Sequence, residues 1–338
     1  MNNSQPWQKY PLIRKPLEEV NQLIQATIRT PYSDLQDALL EMASNGGKYL
    51  RPSLLILSAQ IASKKETVSK QIIQLASSIE ILHMASLIHD DIIDDSDERR
   101  GKISIQARFG KDTAVYAGDL LFTHFFDLIL NAISEQDYMI KNAHTMHHLL
   151  AGELGQMAER FNLSQDFNDY LTNVKGKTAA LFRLAAEEGS HFGNGDEQTT
   201  QALASFGENL GIAFQIVDDI LDYTGGKQLN KPTLEDLTTG VYSLPILLAL
   251  SKKELREQLV PLLEKKRQMS KNDIEQIQKI LLNSSVIEET HALAEQYTNR
   301  ALAEQYTNRA LANLAQLPQT NATVLLKKMT RKLVNRTL

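Results

Sequence analysis

Ile72-Ile73-Gln74-Leu75-Ala76-Ser77-Ser78-Ile79-Glu80-Ile81-Leu82-His83-Met84-Ala85-Ser86-Leu87-Ile88-His89-Asp90-Asp91-Ile92-Ile93-Asp94 is apolar on nearly every side when wound at 3.6 residues per turn. A helix of that kind belongs in the middle of a bundle. It ends in Asp90-Asp91-x-x-Asp94, and the same design returns as Asp218-Asp219-x-x-Asp222 in a second largely apolar stretch over 209–222. On a helix the first and last aspartates of each set lie one turn apart on one face. Like charges at that spacing repel, and an apolar setting makes them costly unless a cation neutralises them. Carboxylates in a chain with no cysteine favour a hard ion, so Mg²⁺ is the expected cation. One such cluster would read as a solvated helix face. A matched pair, both flanked by aliphatic residues, reads as two carboxylate faces opposed across a cavity, with a Mg²⁺ cluster around a diphosphate.

The rest of the chain keeps the same periodicity. Segments 16–28, 33–45, 50–62, 67–95, 112–133, 137–160, 166–190, 196–223 and 243–258 show three-to-four spacing of apolar residues. They are separated by breakers such as Asn45-Gly46-Gly47, Gly101, Gly193-Asn194-Gly195 and Gly225-Gly226. No run of alternating β-branched residues stands out, so the expected fold is all-α, a large helical bundle around a deep central cavity. With 338 residues, 42% hydrophobic, and no composition shift along the way, residues 1–338 read as a single domain. A net charge of −5 gives no global pull toward nucleic acid. The absence of cysteine excludes disulfides, thiolate metal sites and a cysteine nucleophile, and fits a cytoplasmic setting. No signal peptide is visible, and the longest uninterrupted apolar run, Leu244 to Leu250, is far short of a membrane span. Peripheral membrane contact stays open.

Ala292 to Arg300 is followed at once by an identical copy, Ala301 to Arg309. Nine residues rotate a helix by about two and a half turns, so the copies would face opposite sides of one straight helix. A local duplication absorbed as a longer helix or a loop is the expected outcome, and no chemistry is assigned to 292–309. Cations are more informative. Lys48 and Arg51 flank a helix start marked by Pro52, and Arg99-Arg100-Gly101 follows the first acidic set. His83 precedes that set by about two turns, and Lys177-Thr178 opens an apolar run. Singly, such charges are most often solvated; together they suit two diphosphates.

Three stretches in combination resemble the trans-isoprenyl diphosphate synthases: Gly47-Lys48-x-x-Arg51-Pro52, Leu87-Ile88-His89-Asp90-Asp91-x-x-Asp94 leading to Arg99-Arg100-Gly101, and Phe214-Gln215-x-x-Asp218-Asp219-x-Leu221-Asp222. The resemblance runs through nearly all of the chain and implies the isoprenoid synthase fold. It implies that Asp90, Asp91, Asp94, Asp218 and Asp222, with Asp219 beside them, hold Mg²⁺, three ions per site, on an allylic diphosphate. Arg99, Lys177, Thr178 and Gln215 would contact that substrate, with Lys177 also counted among the catalytic groups. Lys48, Arg51, His83 and Arg100 would bind isopentenyl diphosphate, and Lys231 matches a further phosphate-binding lysine. Where many relatives carry a second lysine, this chain has Gly240-Val241-Tyr242-Ser243-Leu244-Pro245, which leaves the clamp one cation short there.

The implied reaction is a chain elongation. Cationic groups stabilise the departing diphosphate, and the allylic carbocation is attacked by the double bond of isopentenyl diphosphate. No side chain need be a nucleophile, and the departed diphosphate serves as base. Stepping back one turn from Asp90 gives Ser86 and Ala85, where relatives that make short products carry a bulky aromatic. Two small residues there suggest an all-trans product of roughly thirty carbons or more, one isoprene unit per 5.4 Å turn. Hexaprenyl or heptaprenyl diphosphate for quinone side chains would be such a product, made from farnesyl or geranylgeranyl diphosphate. Phe122, Phe125 and Phe126 are candidates for the tunnel floor. A short-chain synthase and the catalytic half of a heterodimer with a small regulatory subunit are the alternatives; a homodimer is the first expectation. A terpene cyclase is disfavoured, because Asp222 and Gly226 occupy the places of the Ser or Thr and the Glu of its second metal motif.

Overall fold

The computed structural model describes residues 7–44, 48–99, 101–224, 234–302 and 317–334. It is all-α; the strands among the described residues are one short hairpin, β1 (Glu98–Arg99) and β2 (Lys102–Ile103). The chain forms two compact units, each described by itself. The first comprises Met1–Ala143, Leu184–Ala204 and Gln316–Leu326, the second His144–Arg183, Ser205–Ala315 and Lys327–Leu338.

In the first unit α4 (Lys70–Ile93) is the central helix, packed against α1 (Pro11–Thr27), α3 (Leu50–Ser63) and α6 (Lys111–Ala132). Leu75, Ile79, Ile81, Leu82, Ala85 and Ile88 are fully buried, as an all-round apolar helix requires. Its buried Ser77 and Ser78 hydroxyls donate back to the carbonyls of Ile73 and Leu75. α1 begins at Pro11, five residues before the expected start, and carries Pro16 in its interior. A proline there deprives the Leu12 carbonyl of its helical donor, and the Gln60 Nε2 of α3 supplies one at 3.2 Å. α2 (Ser33–Ser44) and α5 (Ile105–Phe109) complete the first part of this unit. α9 (Ala180–Phe192) lies directly on α3, where a Cβ at Gly189 would collide with the Leu55 carbonyl. By length and composition α4 and α6 could each cross a bilayer, which uninterrupted apolar runs do not reveal; 72% of the α4 window is buried against its neighbours.

The second unit is built around the C-terminal half of α10 (Glu197–Thr224). Ile212, Ile216, Ile220 and Tyr223 pack with residues of α12 (Leu244–Leu250), α13 (Lys253–Leu263) and α14 (Lys271–Leu282). The expected helix 243–258 therefore divides in two at Ser251-Lys252. The expected helix 166–190 is a rod with a wide turn in it: α8 (Phe167–Val174), a π-helical segment Lys175–Ala179, then α9. α7 (Gln136–Ala158) precedes it, and α11 (Glu235–Thr239) follows α10. α14, α15 (Val286–Leu302) and α16 (Asn321–Val334) extend beyond the expected segments. The first copy of the nine-residue repeat lies within α15, and the second leaves the described residues after 302.

Candidate active site

The first acidic set closes α4. Asp94 is the C-cap, with φ −91° and ψ 1°, and its N–H donates to the Asp90 carbonyl at 2.9 Å. A helix C-terminus carries partial negative charge, and the last turn of α4 contains no basic residue, so three carboxylates meet the unfavourable end of the dipole. Asp91 is 2% exposed. Burial pushes its carboxyl above the ordinary range, and Arg99 pulls it back, with Nε and Nη2 each 2.6 Å from Oδ1. Arg99 reaches it because the β1–β2 hairpin turns at Gly101, φ +73°, and folds back over the helix end. Asp90 is half-buried and Asp94 exposed. His89, next to the set, is engaged with α6: its Nε2 lies 3.3 Å from the Val115 carbonyl and 3.5 Å from Asp119, and its ring 5.3 Å from Phe122.

Lys48 is exposed and Arg51 half-buried at the start of α3; His83 is half-buried on α4. Ala85 is fully buried, and the half-buried Ser86 donates through Oγ to the His83 carbonyl at 2.9 Å. Of the three floor candidates Phe125 is fully buried, Phe126 is exposed, and Phe122 packs on His89. Arg100 lies outside the described residues, as does Lys231.

The second acidic set occupies the last two turns of α10, again with no basic residue in the final turn. Asp219 is 5% exposed and accepts three hydrogen bonds from neutral donors: Tyr170 Oη at 2.7 Å, Gln215 Nε2 at 3.0 Å and the Leu244 N–H at 3.2 Å. Burial outweighs them and pushes its carboxyl up to about 7. Asp218 and Asp222 are half-buried, and Asp222 Oδ1 accepts the Leu234 N–H at 3.1 Å. Thr178 Oγ1 donates to Gln215 Oε1 at 2.8 Å. Lys177 Nζ is held by Glu153 Oε2 at 2.8 Å and Gln156 Oε1 at 2.9 Å. Tyr170, Lys177, Thr178, Gln215, Asp219 and Asp236 line one open pocket.

Lys177 and Thr178 owe their places to the π-helical segment. Gly152 of α7 and Gly176 meet backbone to backbone: a Cβ at 152 would strike the Lys177 amide, and one at 176 the His148 carbonyl. Sequence reasoning missed Tyr170, Glu153, Gln156 and the Leu244 N–H. The spacing Gly152-Glu153-Leu154-Gly155 was the available signal, since two glycines on one helix face mark a close helix approach.

Among the described residues no three His, Asp or Glu side chains converge as a metal cage would. A hard divalent ion such as Mg²⁺ takes one or two carboxylates and completes its shell with water and substrate phosphate. The all-oxygen donor set at two helix C-termini fits a hard divalent ion on the same grounds.

The polyprenyl synthetase family model matches residues 33–281. The chain is 30% identical over 292 residues to heptaprenyl diphosphate synthase component 2 of Bacillus subtilis, covering 86% of this chain and 82% of that protein. Geranylgeranyl pyrophosphate synthase of Lactobacillus brevis superposes with a TM-score of 0.89 at 34% identity, over 98% of this chain and 99% of that one. A polyprenyl synthase of Caulobacter crescentus, solved with calcium and isoprenyl diphosphate, gives a TM-score of 0.86 at 30% identity, over 97% of each chain.

Proposed function

This chain belongs to the polyprenyl synthetase family and is a prenyltransferase, and on that premise we propose a Mg²⁺-dependent elongation of an allylic diphosphate by isopentenyl diphosphate. The observation that carries the reading is the pair of helices, α4 and α10, each ending in carboxylates with no basic residue in its last turn. Asp90, Asp91 and Asp94 on one, and Asp218 and Asp222 on the other, are the proposed Mg²⁺ ligands. Asp219 holds the end of α10 through its three hydrogen bonds. The calcium and isoprenyl diphosphate bound by the Caulobacter relative support a divalent ion and this substrate class.

Bound Mg²⁺ would act as a Lewis acid on the leaving diphosphate. The chain's own groups do the rest. Arg99, Lys177, Thr178 and Gln215 bind the allylic diphosphate and stabilise the charge it gains as the carbon–oxygen bond breaks. Lys48, Arg51, His83 and Arg100 orient isopentenyl diphosphate so that its double bond meets the allylic carbocation, and Lys231 contributes a further phosphate contact. Water has to be kept from the carbocation, which it would quench.

The product is proposed to be a long all-trans chain for quinone side chains, grown from farnesyl or geranylgeranyl diphosphate. The heptaprenyl relative and the small residues Ala85 and Ser86 support length; the geranylgeranyl relative keeps the short-chain alternative in play. Residues 1–338 are proposed to act as one synthase domain in the cytoplasm. Val115, Tyr116, Phe126 and Leu130, exposed along α6, support a second chain on that face, either a copy of this one or, as the name "component 2" suggests for the relative, a different subunit.

The test is purified protein with Mg²⁺, radiolabelled isopentenyl diphosphate and farnesyl diphosphate, with product length read by chromatography. Elongation past twenty carbons is expected. Ala85→Phe should stop synthesis at roughly fifteen to twenty carbons while the first condensation continues, because the ring lies one turn from Asp90. An active variant with the parent's product distribution would remove the length assignment, and no incorporation with or without a partner subunit would remove the function.

A further inference from the structure

Tyr49 stands between the two cations proposed for isopentenyl diphosphate, Lys48 and Arg51. It is the N-cap of α3 and sits in the left-handed region, φ 49° and ψ 41°. There the Cβ of an L-residue crowds the backbone, and a bulky aromatic at such a position persists only where its surroundings over-determine it. The surroundings are visible. The ring is 1% exposed, with Trp7 tilted against it at 6.1 Å between centroids. Its hydroxyl accepts from Asn21 Nδ2 at 2.7 Å and donates to the Ala43 carbonyl at 2.9 Å. Asn21 is itself held, with Oδ1 accepting from Gln25 Nε2 at 2.5 Å, and the same Gln25 nitrogen reaches Ser44 Oγ at 3.2 Å. One phenol thus ties α1, the C-terminal end of α2 and the N-cap of α3 together. A phenol is protonated at neutral pH and can donate, and burial raises the pKa of this one further.

We infer that Tyr49 and Asn21 are positioning residues for isopentenyl diphosphate: the lock they form fixes the strained backbone from which Lys48 and Arg51 project. Lysine and arginine carry several rotatable bonds, and the entropy lost on binding is smaller when their stems leave a fixed backbone. Without the lock the residue at 49 relaxes from the left-handed region, and both cations leave the chain in new directions. The inference rests on the proposed role of Lys48 and Arg51.

The experiment is steady-state kinetics on Tyr49→Phe and Asn21→Ala in the full chain, each substrate varied in turn. Tyr49→Phe deletes only the hydroxyl. Asn21→Ala deletes its donor and leaves the ring in place, so it reads the same effect should the first variant fail to fold. The isopentenyl KM is expected to rise by roughly three- to tenfold, the loss of about one hydrogen bond, with kcat and the allylic KM within about twofold. In a Lys48→Ala, Arg51→Ala background Tyr49→Phe should add nothing, because the groups it positions are gone. A lowered melting temperature with an unchanged isopentenyl KM would overturn the inference and make the lock purely structural. So would an equal rise in both KM values, or an effect that persists undiminished in the Lys48→Ala, Arg51→Ala background. If Lys48→Ala and Arg51→Ala themselves leave the isopentenyl KM unchanged, the site assignment falls first, and the positioning role with it.

Discussion

The ends of α4 and α10 carry the same five-residue pattern and solve the same electrostatic problem differently. At α4 the buried middle aspartate, Asp91, is met by a full positive charge, Arg99, brought in by a hairpin. At α10 the buried middle aspartate, Asp219, is met by a phenol, an amide and a backbone N–H, none of them charged. A charged partner offsets burial by Coulomb attraction as well as by hydrogen bonding; neutral donors offset it by hydrogen bonding alone. Asp219 accordingly rises to about 7, although three donors surround it. The pattern in sequence specifies where the outer carboxylates point. It does not specify how the inner one is neutralised.

The largest effects should come from what the two ends share. Asp90→Ala and Asp218→Ala each remove charge from a proposed Mg²⁺ ligand set, and each should lower turnover by about two to three orders of magnitude. Circular dichroism should show both variants folded. Near-normal turnover in one of them, with the other inactive, would mean that the two helix ends share a pattern and not a role.

The difference between the ends should show in stability without substrate. Arg99→Ala leaves Asp91 buried without its counter-charge, and urea denaturation should report a loss of about 3 kcal/mol. That is the lower end for a broken buried pair, because Asp91 can take up a proton. A loss under about 1 kcal/mol would place the pair with ordinary surface ion pairs and weaken the contrast with α10.

The helices were legible because their apolar spacing is local, and the acidic sets because aspartates inside apolar runs are conspicuous. What the sequence hid was tertiary. The expected helix 16–28 begins at Pro16, yet α1 opens five residues earlier at Pro11, and Pro16 is tolerated inside it once Gln60, 48 residues beyond Leu12, supplies the missing donor. The π-helical segment that aims Lys177 depends on Gly176 meeting Gly152, a contact across 24 residues. The phenol that holds Asp219 comes from Tyr170, 49 residues away, and nothing in its own neighbourhood marks it. The expected helix 243–258 covers α12 and the start of α13 but not the break at Ser251-Lys252 or the end of α13 at Leu263. Residues that make chemistry through their own type could be read, whereas those that act by supporting another had to be seen.

Glu188, which belongs to neither acidic set, extends the contrast to a third buried carboxylate. Asn142 Nδ2 donates to it at 2.6 Å, while among the described residues the buried Glu188 Oε2 and Asn142 Oδ1 have no hydrogen-bond partner. Burial pushes the acid up to about 8, more than Asn142 and Lys141 pull it down. Between the ordinary 4.5 and about 8 the folded protein holds a proton that the unfolded chain releases, so stability falls as pH rises through that window and levels off above it. Glu188→Gln removes this fall. It should match the parent near pH 4 and exceed it by on the order of 2–3 kcal/mol at pH 7. Urea midpoints from pH 4 to 9 that decline in parallel for parent and variant would show that Glu188 is not the group responsible.

The smallest and most discriminating effect concerns Tyr170. Tyr170→Phe removes one of three neutral donors to Asp219 and leaves ring packing intact. The loss should be roughly 1.5–2 kcal/mol at pH 8 in chelator-treated protein, where Asp219 is charged and the bond is charge-assisted. Because the phenol lowers the pKa of Asp219, its removal raises that pKa above about 7, and the variant protonates earlier as the pH falls. The cost should therefore shrink toward pH 5, where both proteins carry a neutral carboxyl. Asp91 offers the control: the same substitution at Tyr170 should leave the Arg99→Ala penalty unchanged, since among the described residues the hydrogen-bond partners of Asp91 and Asp219 are different. An equal cost at pH 5 and pH 8 would mean that the phenol acts through packing, and the charged Asp219 would then draw its stabilisation from Gln215 and the Leu244 N–H.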